Sequence, residues 1–178
     1  MANINGNNNA NTLTGTAAAD TINGRGGNDT LFGGLGDDTL IGGSGVDTAT
    51  YAGGAAVNAD LTLGLATGQG NDILIEIENL RGSSFNDTLK GNAGNNTIQG
   101  GAGADLIIAT AGFDTLSGGA DIDTVDFSVL TSGMSANLAT GTYSSAFGSG
   151  QMSGIWQPVA AETIALLQDA SCDLAGIG

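Results

Sequence analysis

The sequence predicts an all-β chain, wound as a coil of short parallel strands joined by glycine-rich turns. Three observations carry this expectation. Residues 33–50, GGLGDDTLI followed by GGSGVDTAT, are consecutive copies of one nine-residue pattern: two glycines, any residue, glycine, any residue, aspartate, any residue, usually a large aliphatic, any residue. Glycine supplies 32 of the 178 residues, more than double the usual ~7%. Between the glycine-rich stretches, apolar and polar residues alternate at period two, as in half-buried strands.

Each half of the nonapeptide has its own physical reason. Six residues with three glycines and an aspartate form a tight turn, because glycine reaches positive φ without steric cost and lets carbonyls crowd around a ligand. The residues after the aspartate, as in Asp38-Thr39-Leu40-Ile41, read as a short strand. Slid upstream, the frame fits Gly24–Phe32, with Arg25 at the second glycine. It then decays through Gly15–Asn23, which keeps Asp20 and Ile22, and Gly6–Thr14, which has Asn11 in the aspartate position. Residues 1–50 are thus a first array. A second array occupies 82–126, with Asp87, Asn96, Asp105, Asp114 and Asp123 in the loops and Leu89, Ile98, Ile107, Leu116 and Val125 in the strands. Of ten units, eight carry aspartate at the loop position and two carry asparagine.

Residues 51–81 lose the glycine-aspartate loops but keep strand character, in Val57–Leu63 and in Ile73, Ile75 and Ile77 alternating with Leu74, Glu76 and Glu78. This passage is expected to continue the same stack as a wider stretch of sheet. A second strand passage spans 127–154. Asp123–Ser128 resembles Asp47–Ala52, and Ala136–Gly141 resembles Ala59–Gly64, so one unit of array plus strand passage is present twice. Residues 155–178 differ in character. Pro158–Ala170 is the one helix-like segment, with Pro158 suited to a first turn and Val159, Thr163, Ile164, Leu167 and Ala170 near one face. It is either an amphipathic cap or a C-terminal export signal.

Chemistry arises from the relation between alternate repeats. If two nonapeptides make one coil of eighteen residues, Asp20 stacks on Asp38, Asp29 on Asp47, Asp87 on Asp105, Asn96 on Asp114 and Asp105 on Asp123. Carboxylates stacked at the ~4.8 Å strand spacing repel unless a cation lies between them. Calcium suits the gap, being hard, tolerant of six or more oxygens at about 2.3–2.6 Å and as ready to take carbonyls as carboxylates. The alternative is a solvated acidic face on a glycine-rich solenoid. The inward aliphatics Leu13, Ile22, Leu31, Leu40 and Ala49, with the five of the second array, make a thin core. Glycine-rich loops lose much entropy on ordering, so folding is expected to depend on calcium.

With these residues in view, the chain resembles the calcium-binding repeat region of RTX proteins, a parallel β-roll. Ile77-Glu78-Asn79-Leu80, Gly82-Ser83 and Asn86–Leu89 also resemble the segment that resumes repeats in that family. The resemblance implies several calcium ions, with loop glycines supplying carbonyls and each loop aspartate acting together with the loop one coil away. The implied ligands in the first array are Asp20; Gly24, Gly26 and Asp29; Gly33, Gly34, Gly36 and Asp38; and Gly42, Gly43, Gly45 and Asp47. In the second array they are Asp87; Gly91, Gly94 and Asn96; Gly100, Gly101, Gly103 and Asp105; Gly112 and Asp114; and Gly118 and Asp123. Export by a type I secretion machinery is implied too. The chain departs from the family pattern at Asn11, Asn96, Ala109-Thr110 and Asp121.

Composition narrows the function. Three basic residues against eighteen acidic ones give a formal charge of −15, which opposes nucleic acid or anionic membrane as a partner. No apolar run is long enough to span a bilayer, and Met1-Ala2-Asn3 does not begin a cleavable secretory signal. The chain has no histidine, the usual general base and a common zinc ligand, and no Gly-x-Ser-x-Gly elbow. Gly24, Gly26 and Gly27 sit in a repeat loop and not before a dinucleotide-binding helix. Glu76 and Glu78 fall on one face of an expected strand and read as structural. Cys172 has no partner for an internal disulfide and no neighbouring base. The glycosylation-like Asn28-Asp29-Thr30, Asn86-Asp87-Thr88 and Asn95-Asn96-Thr97 arise from the repeat itself.

The expected role is therefore non-enzymatic: an extracellular or cell-surface structural protein that folds on calcium and assembles end to end into a filament, layer or matrix. Open solenoid ends are templates for another chain, and a heterologous contact that does not close builds a fibre. The alternative is a calcium-dependent folding and export module of a larger secreted enzyme or adhesin, against which the Met1 start and the lack of a catalytic domain weigh. Ice or glycan binding through the recurrent threonines, Thr21, Thr30, Thr39, Thr48, Thr88, Thr97, Thr115 and Thr124, is a weaker reading, since strand propensity explains them equally.

Overall fold

The computed structural model describes residues 1–130, 135–137, 141–146 and 148–155. The first array forms six strands: β1 (Asn3–Asn5), β2 (Thr12–Thr14), β3 (Thr21–Gly26), β4 (Thr30–Phe32), β5 (Thr39–Ser44) and β6 (Thr48–Thr50). The passage after it supplies β7 (Asn58–Asp60), β8 (Leu65–Thr67), β9 (Asn71–Ile75) and β10 (Asn79–Arg81). The second array supplies β11 (Thr88–Lys90), β12 (Thr97–Ala102), β13 (Leu106–Ile108), β14 (Gly112–Ala120) and β15 (Thr124–Asp126). Strands β16 (Ser135–Asn137), β17 (Thr142–Ser144) and β18 (Gly148–Ser153) follow. The described residues contain no helix. The helix expected over 158–170, and with it the cap-or-export segment beyond residue 155, falls outside them.

Within the arrays successive strands alternate between two nine-stranded sheets, one ordered β1-β3-β5-β9-β8-β7-β11-β13-β15 and the other β16-β17-β18-β14-β12-β10-β6-β4-β2. Within the arrays the pairing is parallel and the register eighteen residues, as in Ile4 on Ile22, Ile22 on Leu40, Leu13 on Leu31 and Ile98 on Leu116. Two nonapeptides therefore complete one coil. Because side chains alternate faces in a strand, the eighth residue of each unit points inward every time. Ile22, Leu31, Leu40, Ala49, Leu89, Ile98, Ile107 and Leu116 are wholly buried, Val125 nearly so, and Leu13 at the terminal coil is partly covered.

The passage between the arrays joins the same stack but departs from parallel winding. Strands β7, β8 and β9 run antiparallel to one another, so the sheet gains a three-stranded meander whose outer members pair in parallel with β5 and β11. Strand β10 bridges β6 and β12 in the opposite sheet. Val57, Ala59, Leu61, Ala66, Leu74, Ile77 and Leu80 carry the core through this splice, while Ile73 and Ile75 face outward. The second passage repeats the device: β16, β17 and β18 form an antiparallel meander, and β18 pairs in parallel with β14. The two meanders lie in different sheets.

Candidate metal centre

The loops owe their shape to glycines at the second and fourth repeat positions. Gly34, Gly43, Gly101 and Gly119 hold φ of 98°, 99°, 122° and 116°, and Gly36, Gly45, Gly103 and Gly112 hold 110°, 146°, 102° and 115°. Two residues that replace a glycine of the pattern, Arg25 and Asp121, keep its left-handed backbone, with φ of 77° and 76°, whereas Thr16, Ser83 and Asn92 at second positions do not. In the Gly24 loop the fourth-position turn glycine is Gly27, φ 93°, and Gly26 lies at the end of β3 without positive φ.

These turns bring the loop carboxylates into ladders. In each, an aspartate Oδ1 accepts a hydrogen bond from the backbone N–H of the equivalent residue one coil earlier. Asp38 accepts from Asp20 at 2.8 Å, Asp29 from Asn11 at 2.7 Å and Asp47 from Asp29 at 2.7 Å. Asp105 accepts from Asp87 at 2.8 Å, Asp123 from Asp105 at 2.9 Å and Asp114 from Asn96 at 3.0 Å. All five stacked pairs expected from the spacing are present. The ladders also run into the splice. Asp72 Oδ1 accepts from Asp38 N–H at 3.0 Å, Glu78 Oε2 from Asp47 N–H at 2.8 Å, and Asp87 Oδ1 from Val57 N–H at 2.7 Å. Sequence reasoning misses Asp72 and Glu78 as ladder members. A signal for Asp72 exists in Gly70-Asn71-Asp72, which repeats Gly27-Asn28-Asp29. Glu78 has one in its phase, for it lies nine residues before Asp87, with Leu80 nine before Leu89, although the glycines of the pattern are missing around it. The expectation that Glu76 and Glu78 share a strand face is corrected: β9 ends at Ile75, and Glu76 turns the chain with φ 53°.

The second oxygens test whether these residues fit a cation. Oδ2 of Asp29, Asp38, Asp47, Asp105 and Asp123 is buried and has no hydrogen-bond donor. A buried carboxylate oxygen without a partner is costly. Each of these oxygens faces the first glycine of its own loop, and at Gly24, Gly42 and Gly100 a backbone carbonyl of the next coil converges on the same point. A Cβ at Gly24 would lie 2.7 Å from the Gly42 carbonyl oxygen and closer still to Asp29 Oδ2. A Cβ at Gly100 would lie 2.5 Å from the Gly118 carbonyl oxygen and closer to Asp105 Oδ2. At Gly42 the Asp47 Oδ2 would be 2.6 Å away, and the Glu76 carbonyl faces the same point. At Gly33 and Gly118 the nearest atoms are those of the Asp38 and Asp123 carboxylates themselves. Glycine is required here because any side chain would fill the space between oxygens. An all-oxygen donor set of carboxylates and carbonyls is the chemistry of calcium. Bound there, calcium supplies the positive charge these oxygens lack.

Electrostatics agree. Burial pushes the carboxyl of Asp72 up to about 6, with the charges of Asp38 and Asp37 adding to it. Burial likewise raises Asp105 to about 6, with Asp87, Asp123 and Asp121 adding. Asp38, Asp47, Asp114 and Asp123 are raised from the same first cause. A carboxylate held above its ordinary value by burial and like charge is one that a cation would restore.

Several expected ligands have protein partners instead. Asp20 Oδ2 accepts from the Thr16 hydroxyl at 2.7 Å and the Thr16 N–H at 2.8 Å. The Thr16 hydroxyl, with the amide of Ala2, holds the Asp20 carboxyl below its ordinary value. Asp87 Oδ2 accepts from Ser83 N–H. Asp114 Oδ2 accepts from the Tyr143 hydroxyl at 3.1 Å. Beside Gly91 and Gly94, Asn96 uses its amide: Nδ2 donates to the Glu78 carbonyl at 2.7 Å, while Oδ1 accepts from Asn92 N–H at 2.9 Å. An amide donor thus meets the Glu78 carbonyl. The sets that pair a donorless Oδ2 with a carbonyl of the next coil are those of Asp29, Asp47 and Asp105, while Asp38 and Asp123 present the donorless Oδ2.

Among the described residues no three Asp, Glu, His or Cys side chains form a metal-holding group, so carbonyls must make up the coordination. A family model described as the RTX calcium-binding nonapeptide repeat matches residues 5–40, 14–49, 81–116 and 99–127, together just over half of the chain. A search of curated proteins gave no match.

Proposed function

The chain belongs to the RTX calcium-binding nonapeptide-repeat family, and from that premise we propose that it is an extracellular structural protein that folds on calcium and assembles end to end. Calcium binding is the family's property. The observation that carries calcium-dependent folding is the set of five buried, donorless Oδ2 atoms on Asp29, Asp38, Asp47, Asp105 and Asp123. Placed in a chain of formal charge −15, they oppose the fold unless cations lie among them. Proteins of this family are generally secreted, and calcium is abundant outside cells, which supports the extracellular assignment and export by a type I machinery. The carboxylates are engaged pairwise in ladders and the chain has no histidine, which supports a non-enzymatic role.

End-to-end assembly draws on the sheet ends and on the internal duplication. Strands β1 and β2 terminate the two sheets at one end, with one neighbour each among the described residues. At the other end β16 pairs only with β17 among those residues. Its counterpart in the first meander, β7, takes a parallel strand, β11, on the corresponding edge. The junction between the two halves of one chain thus offers a pattern for a junction between chains, with the N-terminal coil of one copy in the place of β11. Sedimentation velocity with calcium and with chelator tests this. Calcium-dependent growth into very large species is expected. A compact calcium-bound monomer would instead favour a folding and export module of a larger protein.

A further inference from the structure

The turn after β9 reproduces a repeat loop without the repeat's residues. At Gly24 the convergence point consists of Asp29 Oδ2 from the same loop and the carbonyl of Gly42 from the next coil. At Gly42 it consists of Asp47 Oδ2 and the carbonyl of Glu76. Glu76 thus takes the place of a first-position glycine. It does so from a left-handed backbone, φ 53°, that a residue with a side chain rarely adopts. Two residues on, Glu78 takes the place of the loop aspartate, its Oε2 accepting the Asp47 N–H at 2.8 Å. The turn is fixed by two more bonds, from Glu78 N–H and Asn79 N–H to the Asp47 carbonyl at 3.1 and 2.9 Å. Asp47 itself is wholly buried and its Oδ2 has no donor.

We propose that the Glu76–Glu78 turn, which lacks the repeat's glycines, completes a calcium site with Asp47 of the last loop of the first array and so clamps the strand passage to that array. The proposal rests on the calcium-dependent reading above. The ion would take Asp47 Oδ2 and the Glu76 carbonyl, in the negative field of the Glu76 and Glu78 carboxylates. The site explains why a glutamate occupies a left-handed position that glycine would hold more easily: its carboxylate adds charge where the loop itself carries one aspartate. It also gives the splice the same cation dependence as the arrays on either side. The sheet therefore stays continuous through a passage whose sequence has lost the nonapeptide.

Native mass spectrometry of the full chain, at stepped free calcium, counts the ions. Glu76→Gln with Glu78→Gln removes both charges, while the amide oxygen introduced at the second position still accepts the Asp47 N–H. The double variant is expected to carry one ion fewer than the unmodified chain at the lowest calcium level that saturates the latter, and to need at least tenfold more calcium to regain it. Hydrogen exchange should then show β9 and β10 less protected at that level, with β12 to β15 unchanged. Equal ion counts at equal calcium overturn the proposal. If the double variant loses every ion, Glu76→Gly decides by the same criterion, since glycine suits φ 53° and leaves the Asp47 hydrogen bond in place. An unmodified chain that binds no calcium would overturn the calcium reading itself and not this site alone.

Discussion

Withdrawal of calcium at neutral pH should unfold this protein, and the size of the effect follows from the loop carboxylates. Asp29, Asp38, Asp47, Asp105 and Asp123 each bury an Oδ2 with no donor. A buried unsatisfied polar atom costs about 1–3 kcal/mol, and more when charged. Five of them oppose folding by about 5–15 kcal/mol, as much as the whole net stability of an ordinary domain, about 5–15 kcal/mol. The thin core has nothing in reserve against that. A calcium ion present at about a hundredfold excess over its Kd returns about 2.7 kcal/mol per site, so several ions together reverse the balance. The assay is far-UV circular dichroism with small-angle scattering, in calcium and in chelator. Loss of calcium should abolish the strand signal and raise the radius of gyration from about 16 Å towards about 45 Å, the values for compact and unfolded chains of this length. A chelated sample with unchanged circular dichroism and radius would refute the reasoning, because the orphaned oxygens would then be tolerated without a cation.

Acid should partly replace calcium. Asp72 and Asp105 have folded pKa values raised to about 6 from an ordinary 3.8, so the calcium-free fold binds more protons than the unfolded chain between about pH 4 and 6. Its stability then rises as pH falls through that window, and calcium-free protein should show more strand signal at about pH 5 than at about pH 7.5. Asp20 and Asp60 shift downward from 3.8, so they act oppositely only below that value. Calcium affinity should move the other way, weakening as the same groups protonate, which calorimetry at the two pH values measures. In the core, Ile98→Ala removes a wholly buried side chain stacked between Leu80 and Leu116. It should lower the calcium-saturated urea midpoint by the equivalent of about 2–5 kcal/mol. Tyr143→Phe leaves Asp114 Oδ2 without its hydroxyl donor and should destabilise the calcium-loaded protein by about 1–3 kcal/mol. An unchanged melting curve would show that the contact carries no stability.

The array part of this fold could be read from the sequence because one period fixes several things together. A repeat of nine, with Asp38 and Asp47 in the loops and Leu40 and Ala49 in the strands, sets the eighteen-residue register, the inward face and the carboxylate stacking. The pairs Asp20–Asp38 and Asp87–Asp105 followed from spacing alone. The splice was not legible in the same way. Hydrophobic alternation marks residues 57–63 and 73–78 as strands, but it does not distinguish parallel from antiparallel pairing, and the β7-β8-β9 meander depends on the turns at Gly64 and Gly68, φ 67° and 125°. Glu78 stands nine residues before Asp87, in phase with the second array, but its ladder bond depends on the left-handed turn at Glu76, which replaces a glycine loop and has no counterpart in the repeat. Conversely, Asp114 and Asn96 matched the pattern, and tertiary neighbours decided their partners: Tyr143, twenty-nine residues along, reaches Asp114, and the Glu78 carbonyl meets the Asn96 amide.

Register also determines how the molecule would yield under tension. Within the arrays each loop amide is tied to a carboxylate eighteen residues further on, so a chain pulled from its N-terminal end should lengthen in increments of roughly 60 Å. At the splice, Asp38 is tied to Asp72 across thirty-four residues, and releasing that tie would free roughly 110–120 Å at once. Asp47 is likewise tied to Glu78 and Val57 to Asp87, across thirty-one and thirty residues, so a force-extension trace should show a run of short, even teeth broken by a group of longer ones. The place of that group in the series would locate the splice mechanically.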